Sequence, residues 1–246
     1  EIDPLTIWSR LESTRQVSSA IDQTVSEYVH TKIKESNSCW DINEYIWIST
    51  PAPVSTKLKP INNENKKLNK ALSDAYKHLL RKGRTVFVGE DIKDPYGGAF
   101  KITKGFSTEF PDNVISTPIS EAALVGFSIG KSFMGYQSYA EIMFGDFLTN
   151  ACDQIVNNAC KFQFMYADQA KIPIKIRVVS GGRRGYGPTH SQSLESMFIG
   201  REGLELFAIT SLVDPTPFII STLPETENPA LVIENKVDYG HMLAQP

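Results

Sequence analysis

Apolar positions recur at helical spacing through Leu68, Leu72, Tyr76 and Leu79, a glycine at 83 interrupts them, and Thr85-Val86-Phe87-Val88 follows as a continuous block. This is the pattern of an amphipathic helix, a stop and a strand buried on both faces. The alternation continues downstream. Val114-Ile115 reads as the end of a short strand, 121–133 as a helix, 136–142 as a strand, 147–165 as a helix, 174–179 as a strand, and Pro229-Ala230-Leu231-Val232-Ile233 as a last apolar segment. Strands alternating with helices predict an α/β fold, a largely parallel sheet with helices on both faces. Ligands of such sheets gather at the carboxyl ends of the strands, where Glu90, Glu121 and the loop from Ser180 to His190 should lie.

Upstream the pattern changes. Ile21, Val25, Val29 and Ile33 mark an amphipathic helix with Asp22 and Glu27 early and Lys32 and Lys34 late, which suits the helix dipole. The stretch after it has few regular signals and carries Pro51, Pro53 and Pro60. It reads as a linker or docking arm, with Trp40, Tyr45, Ile46 and Trp47 as docking residues. Three parts are therefore expected: a helical tail over 1–36, an arm over 37–64 and an α/β domain over 65–246.

Within that domain, Thr117-Pro118-Ile119-Ser120-Glu121 precedes a run of small and apolar residues, Ala122 to Gly130. Pro118 keeps Thr117 out of helical space and Ser120 is suited to cap a helix, so Glu121 falls in the first turn. An acid there complements the helix dipole for under about 1 kcal/mol, and spacing alone asks nothing more of it.

The 246 residues are 41% hydrophobic and 22% charged, with a net charge of −3, so no basic excess is available for nucleic-acid phosphates or an anionic membrane surface. No apolar run approaches bilayer length, and Glu1-Ile2-Asp3-Pro4 lacks the character of a signal peptide. These features predict a protein of the cytoplasm or an organelle matrix. The missing initiator methionine suggests a fragment or processed product. Cys39, Cys152 and Cys160 show no CxxC spacing, and Cys152 and Cys160 suit the buried face of one helix. The four histidines have no metal-ligand spacing. Gly126 to Ser132 mimics a phosphate-binding loop but falls inside a predicted helix, which excludes nucleotide cradling.

Taken in order, Thr117 to Gly130, Tyr139-Ala140-Glu141-Ile142-Met143-Phe144-Gly145-Asp146-Phe147, Asp153-Gln154-Ile155-Val156-Asn157 and Tyr186-Gly187-Pro188-Thr189-His190-Ser191-Gln192 form a recognisable set. From about Leu68 to Tyr239 the chain resembles the beta subunit, or beta half of a fused alpha-beta chain, of the thiamine-diphosphate-dependent decarboxylating component of 2-oxo acid dehydrogenases. The resemblance implies a transketolase-like pyrimidine-binding domain. It gives Glu121 the role of bonding N1′ of the cofactor's aminopyrimidine, which requires burial to oppose the helix end. It makes Phe147 the ring that stacks on the pyrimidine, Met143 and Ile119 further lining residues, and His190 the active-centre histidine. Glu141 and Asp146 are expected to be structural. Arg183 and Arg184 would guide an anionic substrate or acidic carrier, or are solvated loop charges. The family's potassium ion, bound by backbone carbonyls near Ile174 and Asn228, is in doubt because Thr226 stands where an acid is expected.

The same resemblance implies that the diphosphate and its magnesium belong to an alpha-type domain, since this chain has no GDG sequence. Asp3-Pro4-Leu5 and the following helix resemble the tail of such an alpha subunit, and the beta subunit's C-terminal domain is expected to be absent. Implied partners are that alpha-type domain, a lipoyl acyltransferase and a 2-oxo acid, in a homo- or hetero-oligomer, with the fragment alone inactive. An acetoin dehydrogenase beta component and a catalytically silent partner module of the same fold remain alternatives.

Overall fold

The computed structural model of the chain describes residues 66–243 together with Gln23 and Glu27. Gln23 and Glu27 are helical, with the Gln23 amide donating to Glu27 at 3.1 Å. The rest of the expected helical tail, the arm with Trp40 to Trp47, and Cys39 lie outside the described residues.

Helix α1 (Leu68–Leu80) buries Leu68, Ala71, Leu72, Ala75, Tyr76, Leu79 and Leu80, the three-and-four spacing read from the sequence. It ends ahead of Gly83, whose φ of +89° turns the chain into β1 (Thr85–Gly89). The short helix α2 (Phe106–Glu109) and β2 (Val114–Ser116) follow, then α3 (Glu121–Phe133) and β3 (Gln137–Ile142). A mixed helical stretch ends in α4 (Cys160–Met165) and leads to β4 (Lys175–Ser180), β5 (Glu205–Ile209) and β6 (Ala230–Asn235).

All six strands are parallel, in the order β2-β1-β3-β4-β6-β5. The α/β fold expected from the alternation is present. From β1 the chain steps outward to β2 and then returns past β1 to β3, so the connections diverge at the β1/β3 boundary, where an open parallel sheet forms a crevice at its carboxyl edge.

Strand alternation divides the interior into two layers. Phe87, Tyr139, Val179 and Val232 face α1 on one side, while Val86, Val88, Ala140, Ile142, Ile176, Val178 and Leu231 pack with Leu124 and Val125 of α3 on the other. Phe87 and Tyr139 stack at 5.0 Å between neighbouring strands, and Tyr76 meets both edge-on. Cys160 is buried and Cys152 half-buried in the second layer, both as free thiols. Among the described residues, no helix is long and apolar enough to cross a membrane.

Two expectations change. The predicted helix over 147–165 is not one α-helix: Gly145–Ala151 forms 3₁₀ turns, Gln154–Ala159 is π-helical, and Cys160–Met165 is α. Local side-chain bonds accompany the altered winding, because Asp153 accepts from the side chains of Gln154 at 3.2 Å and Asn157 at 2.8 Å. Strand β5 is an addition to the expected set. Its residues are mostly half-buried at the sheet edge, without the unbroken apolar run of an inner strand.

Candidate active site

The loops leaving the carboxyl ends of β1, β2, β3, β4 and β6 bring the candidate residues to one edge of the sheet. The loop after β2 enters α3 through Ser120, whose side chain accepts from the Ala123 N–H at 3.3 Å, as a cap should. Glu121 is thereby fixed at the first helical position and is only 6% exposed. The Asn150 side-chain amide donates to its Oε2 at 3.2 Å, tying the helix start to the 3₁₀ turns that carry Phe147.

A second buried carboxylate stands beside it. Glu90, directly after β1, accepts from the Ser120 N–H at 2.9 Å. Burial pushes its carboxyl above the ordinary range, and the charges of Glu121 and Asp91 push the same way against the Ser120 bond. The loop that presents Glu121 is thus held from below by an acid that senses Glu121.

Phe147 and His190, far apart in sequence, meet edge-to-face at 5.2 Å. Phe144 completes the cluster, 4.7 Å from the His190 ring and 5.7 Å from Phe147, and Tyr186 packs on Phe144 at 5.6 Å. Met143 is half-buried on the same connection, and Ile119, before α3, is 80% exposed. Ile119 therefore leaves its side chain unpacked at this edge.

Several contacts hold the His190 loop against the sheet. Asp146, buried in keeping with its structural reading, accepts from the Gln192 side chain at 2.7 Å and from its backbone N–H at 3.2 Å. The Lys236 ammonium donates to the His190 carbonyl at 2.6 Å and lies over the rings of Phe144 and Tyr186. Lys236 is fully buried. Burial pulls its ammonium below the usual range, opposed by Asp146 and reinforced by Arg184. Arg184 itself donates to the Lys236 carbonyl at 3.3 Å, so it braces the loop. The His190 ring shares a 3.0 Å hydrogen bond between its Nδ1 and the Thr189 hydroxyl.

Below these loops, inside the sheet, Arg177 of β4 bonds Glu234 of β6 twice, at 2.7 Å each, and also pairs with Glu141 of β3. Tyr239 and Tyr76 donate their hydroxyls to Glu234 at 2.6 and 2.9 Å. This network locks together β3, β4 and β6, three of the strands whose ends carry the site, which accounts for Glu141 as a structural acid.

At the opposite edge, where β4 and β6 begin, the Ile174 carbonyl accepts the Ala230 N–H at 2.9 Å and the Asn228 amide donates to Glu205 at 3.1 Å. Between them the Lys175 ammonium donates to the Thr226 carbonyl at 2.7 Å and to the Thr226 hydroxyl. Burial draws Lys175 down to about 8 while the Glu205 carboxylate opposes the shift, leaving the side chain mostly charged at neutral pH.

Reasoning from sequence does not single out Phe144, Asn150 or Lys236. Phe144 sits within one of the motifs, and Glu90 carries the signal of an acid directly after a buried strand. Asn150 and Lys236 carry none, being ordinary surface residue types.

Residues 64–241 match the family described as "Transketolase, pyrimidine binding domain". Among curated proteins, the chain is 34% identical over 181 residues to pyruvate dehydrogenase E1 component subunit beta of Rickettsia felis, covering 73% of this chain and 55% of the relative. It is 33% identical over 171 residues to an acetoin:2,6-dichlorophenolindophenol oxidoreductase subunit beta of Cupriavidus necator, covering 66% of this chain and 50% of the relative. The chain thus spans about half the length of the curated relatives it matches. A solved structure described as "Split gene transketolase, inactive beta4 tetramer" shares the fold with a TM-score of 0.53 at 22% identity, over 68% of this chain and 50% of that one.

Proposed function

Because this chain belongs to the transketolase pyrimidine-binding domain family, we propose that its carboxyl-edge loops form the aminopyrimidine half of a thiamine diphosphate site in a 2-oxo acid dehydrogenase. The observation that carries the reading is the placement of Glu121: a buried carboxylate, fixed at a helix start on the same edge as the Phe147–His190 pair. Those residue types fit the cofactor, because an aminopyrimidine needs one carboxyl for its ring nitrogen and an apolar surface for its face.

Bound thiamine diphosphate would supply a nucleophilic carbon at C2 of its thiazolium ring, able to attack the 2-oxo carbon and hold the electrons left by decarboxylation. Glu121 would hold or share a proton at N1′ of the aminopyrimidine. Its burial limits competition from water for that nitrogen. Phe147, with Met143 on the same connection, would present the apolar wall. Ile119, exposed before α3, would complete that wall from the other side. His190, its loop pinned by Lys236 and Asp146, would orient the 2-oxo acid and exchange a proton during acyl transfer to a lipoyl group. Arg183 would draw in the anionic substrate.

The diphosphate and its magnesium would be held by an alpha-type domain, so the working unit would be an assembly of both. A lipoyl acyltransferase would accept the acyl group. Acetoin is a second substrate reading, favoured by the acetoin oxidoreductase beta subunits of Cupriavidus necator and Bacillus subtilis at 33% and 30% identity. The test is turnover of pyruvate, branched-chain 2-oxo acids and acetoin by the protein assembled with its alpha-type partner, using an artificial electron acceptor with and without thiamine diphosphate. Cofactor-dependent turnover of one of them is expected. No turnover, together with no effect of the cofactor on thermal stability, would contradict the proposal and favour a silent module.

A further inference from the structure

The amino edge of the sheet carries a charged group that the cofactor reading leaves unexplained. Lys175 opens β4 with its side chain only 1% exposed, and a buried ammonium is costly unless its donors are matched. Thr226 supplies acceptors for two of the ammonium's three N–H groups. The Thr226 hydroxyl gives its one proton to the Leu223 carbonyl at 2.9 Å, which leaves its lone pairs free to accept from the Lys175 ammonium. The Thr226 carbonyl accepts from the same ammonium at 2.7 Å. Lys175 and Glu205 both register with Ala230 in the sheet, so the lysine and the acid lie on one face with only a methyl group between them, and Glu205 is fixed by Asn228.

This is the region where a potassium ion would be expected, held by carbonyls near Ile174 and Asn228. The residues do not fit such an ion. The Ile174 carbonyl already accepts one bond of the sheet ladder, and, decisively, both Thr226 oxygens accept from a fixed positive charge. Nor does Thr226 bring the negative charge that an acid would. A second cation at hydrogen-bond distance from the same carbonyl would meet the ammonium in a poorly screened setting. An ammonium and a potassium ion carry the same charge and seek the same oxygen ligands.

We infer that Lys175 is a tethered cation, standing in for a bound monovalent ion and clamping the 223–228 loop to the start of β4 and β6. The clamp is covalently supplied, so the loop keeps its shape whatever the potassium concentration. Nothing in it depends on what binds at the opposite edge.

The test is the thermal midpoint of the purified protein in potassium, sodium and choline chloride at matched ionic strength. The wild-type midpoint should be the same in all three salts. Lys175→Met, which strips the Thr226 oxygens of their donor, should lower it by roughly 3–12 °C in choline chloride. A selective rise of the wild-type midpoint in potassium chloride would overturn the inference, as would a Lys175→Met protein as stable as wild type in choline chloride. Should that variant not fold, crystals of the wild type soaked in rubidium chloride decide the matter through anomalous scattering. No rubidium peak is expected within ligand distance of the Thr226 carbonyl, and a peak there would overturn the inference.

Discussion

Replacing Arg177 by methionine removes the one positive charge from a buried group that also holds two carboxylates. Arg177, Glu141 and Glu234 are each no more than 4% exposed, so neither acid can turn to water once the guanidinium is gone. Glu234 would keep the hydroxyls of Tyr76 and Tyr239, while Glu141 would lose its ion-pair partner. Breaking a buried pair from one side costs about 3–5 kcal/mol, a large part of the 5–15 kcal/mol that holds a typical domain folded. For a domain of this size that predicts a fall in thermal midpoint of roughly 6–20 °C. The sign of the pH dependence follows. Burial already holds the Glu141 carboxyl above its ordinary range with Arg177 beside it, and removing Arg177 raises it further. An acid raised on folding costs stability only where it would be ionised in the unfolded chain. The deficit of the variant should therefore be largest at neutral pH and shrink as pH falls toward about 4. Thermal unfolding from pH 4 to 8 measures both effects, and the triple variant Arg177→Met/Glu141→Leu/Glu234→Gln, which removes all three charges, should recover most of the loss. A single variant within about 1 kcal/mol of wild type, with no pH dependence to the difference, would refute the reasoning.

Lys236→Met removes a charge-assisted bond to the His190 carbonyl, worth about 1.5–3 kcal/mol. Hydrogen exchange of amides over 187–192 should accelerate by about 10–100-fold while that of β1 and β3 stays unchanged, and unaltered loop exchange would show that other contacts hold the loop. Gly203 sits at φ +79°, and a Cβ there would lie 2.6 Å from the Cys160 carbonyl oxygen. Gly203→Ala should cost at least about 1–3 kcal/mol in urea unfolding, and an equally stable variant would mean that the turn into β5 yields without penalty.

Much of this arrangement is legible in the amino-acid sequence. The helical spacing through Leu79, the apolar block at Thr85 to Val88 and the cap at Ser120 each follow from local chemistry, and each lies where the pattern puts it. What local pattern cannot carry is pairing between distant segments. The insertion of β6 between β4 and β5 leaves no trace in periodicity, and β5 itself lacks an inner strand's composition. Residues such as Asn150 and Lys236 acquire their contacts only when loops from different strands converge. Lys175 and Arg177 belong with them. Their spacing of two puts both on one face of β4, and since such alternation equally describes a solvated strand face, their burial and their partners follow only from the packing above them. The winding of 145–165 departs from the expected helix through 3₁₀ turns and a π-helical stretch that an apolar pattern does not register.

The central claim is that the Glu121 carboxyl acts on the aminopyrimidine. It is tested most directly by the turnover of Glu121→Gln in the protein assembled with its alpha-type partner and saturated with thiamine diphosphate. Glutamine keeps the size and can still hydrogen-bond, but it cannot hold or share the proton. The expected result is a loss of roughly 10²–10⁴-fold in kcat, the range for a group that exchanges a proton in the reaction. A variant turning over at the wild-type rate would contradict the claim.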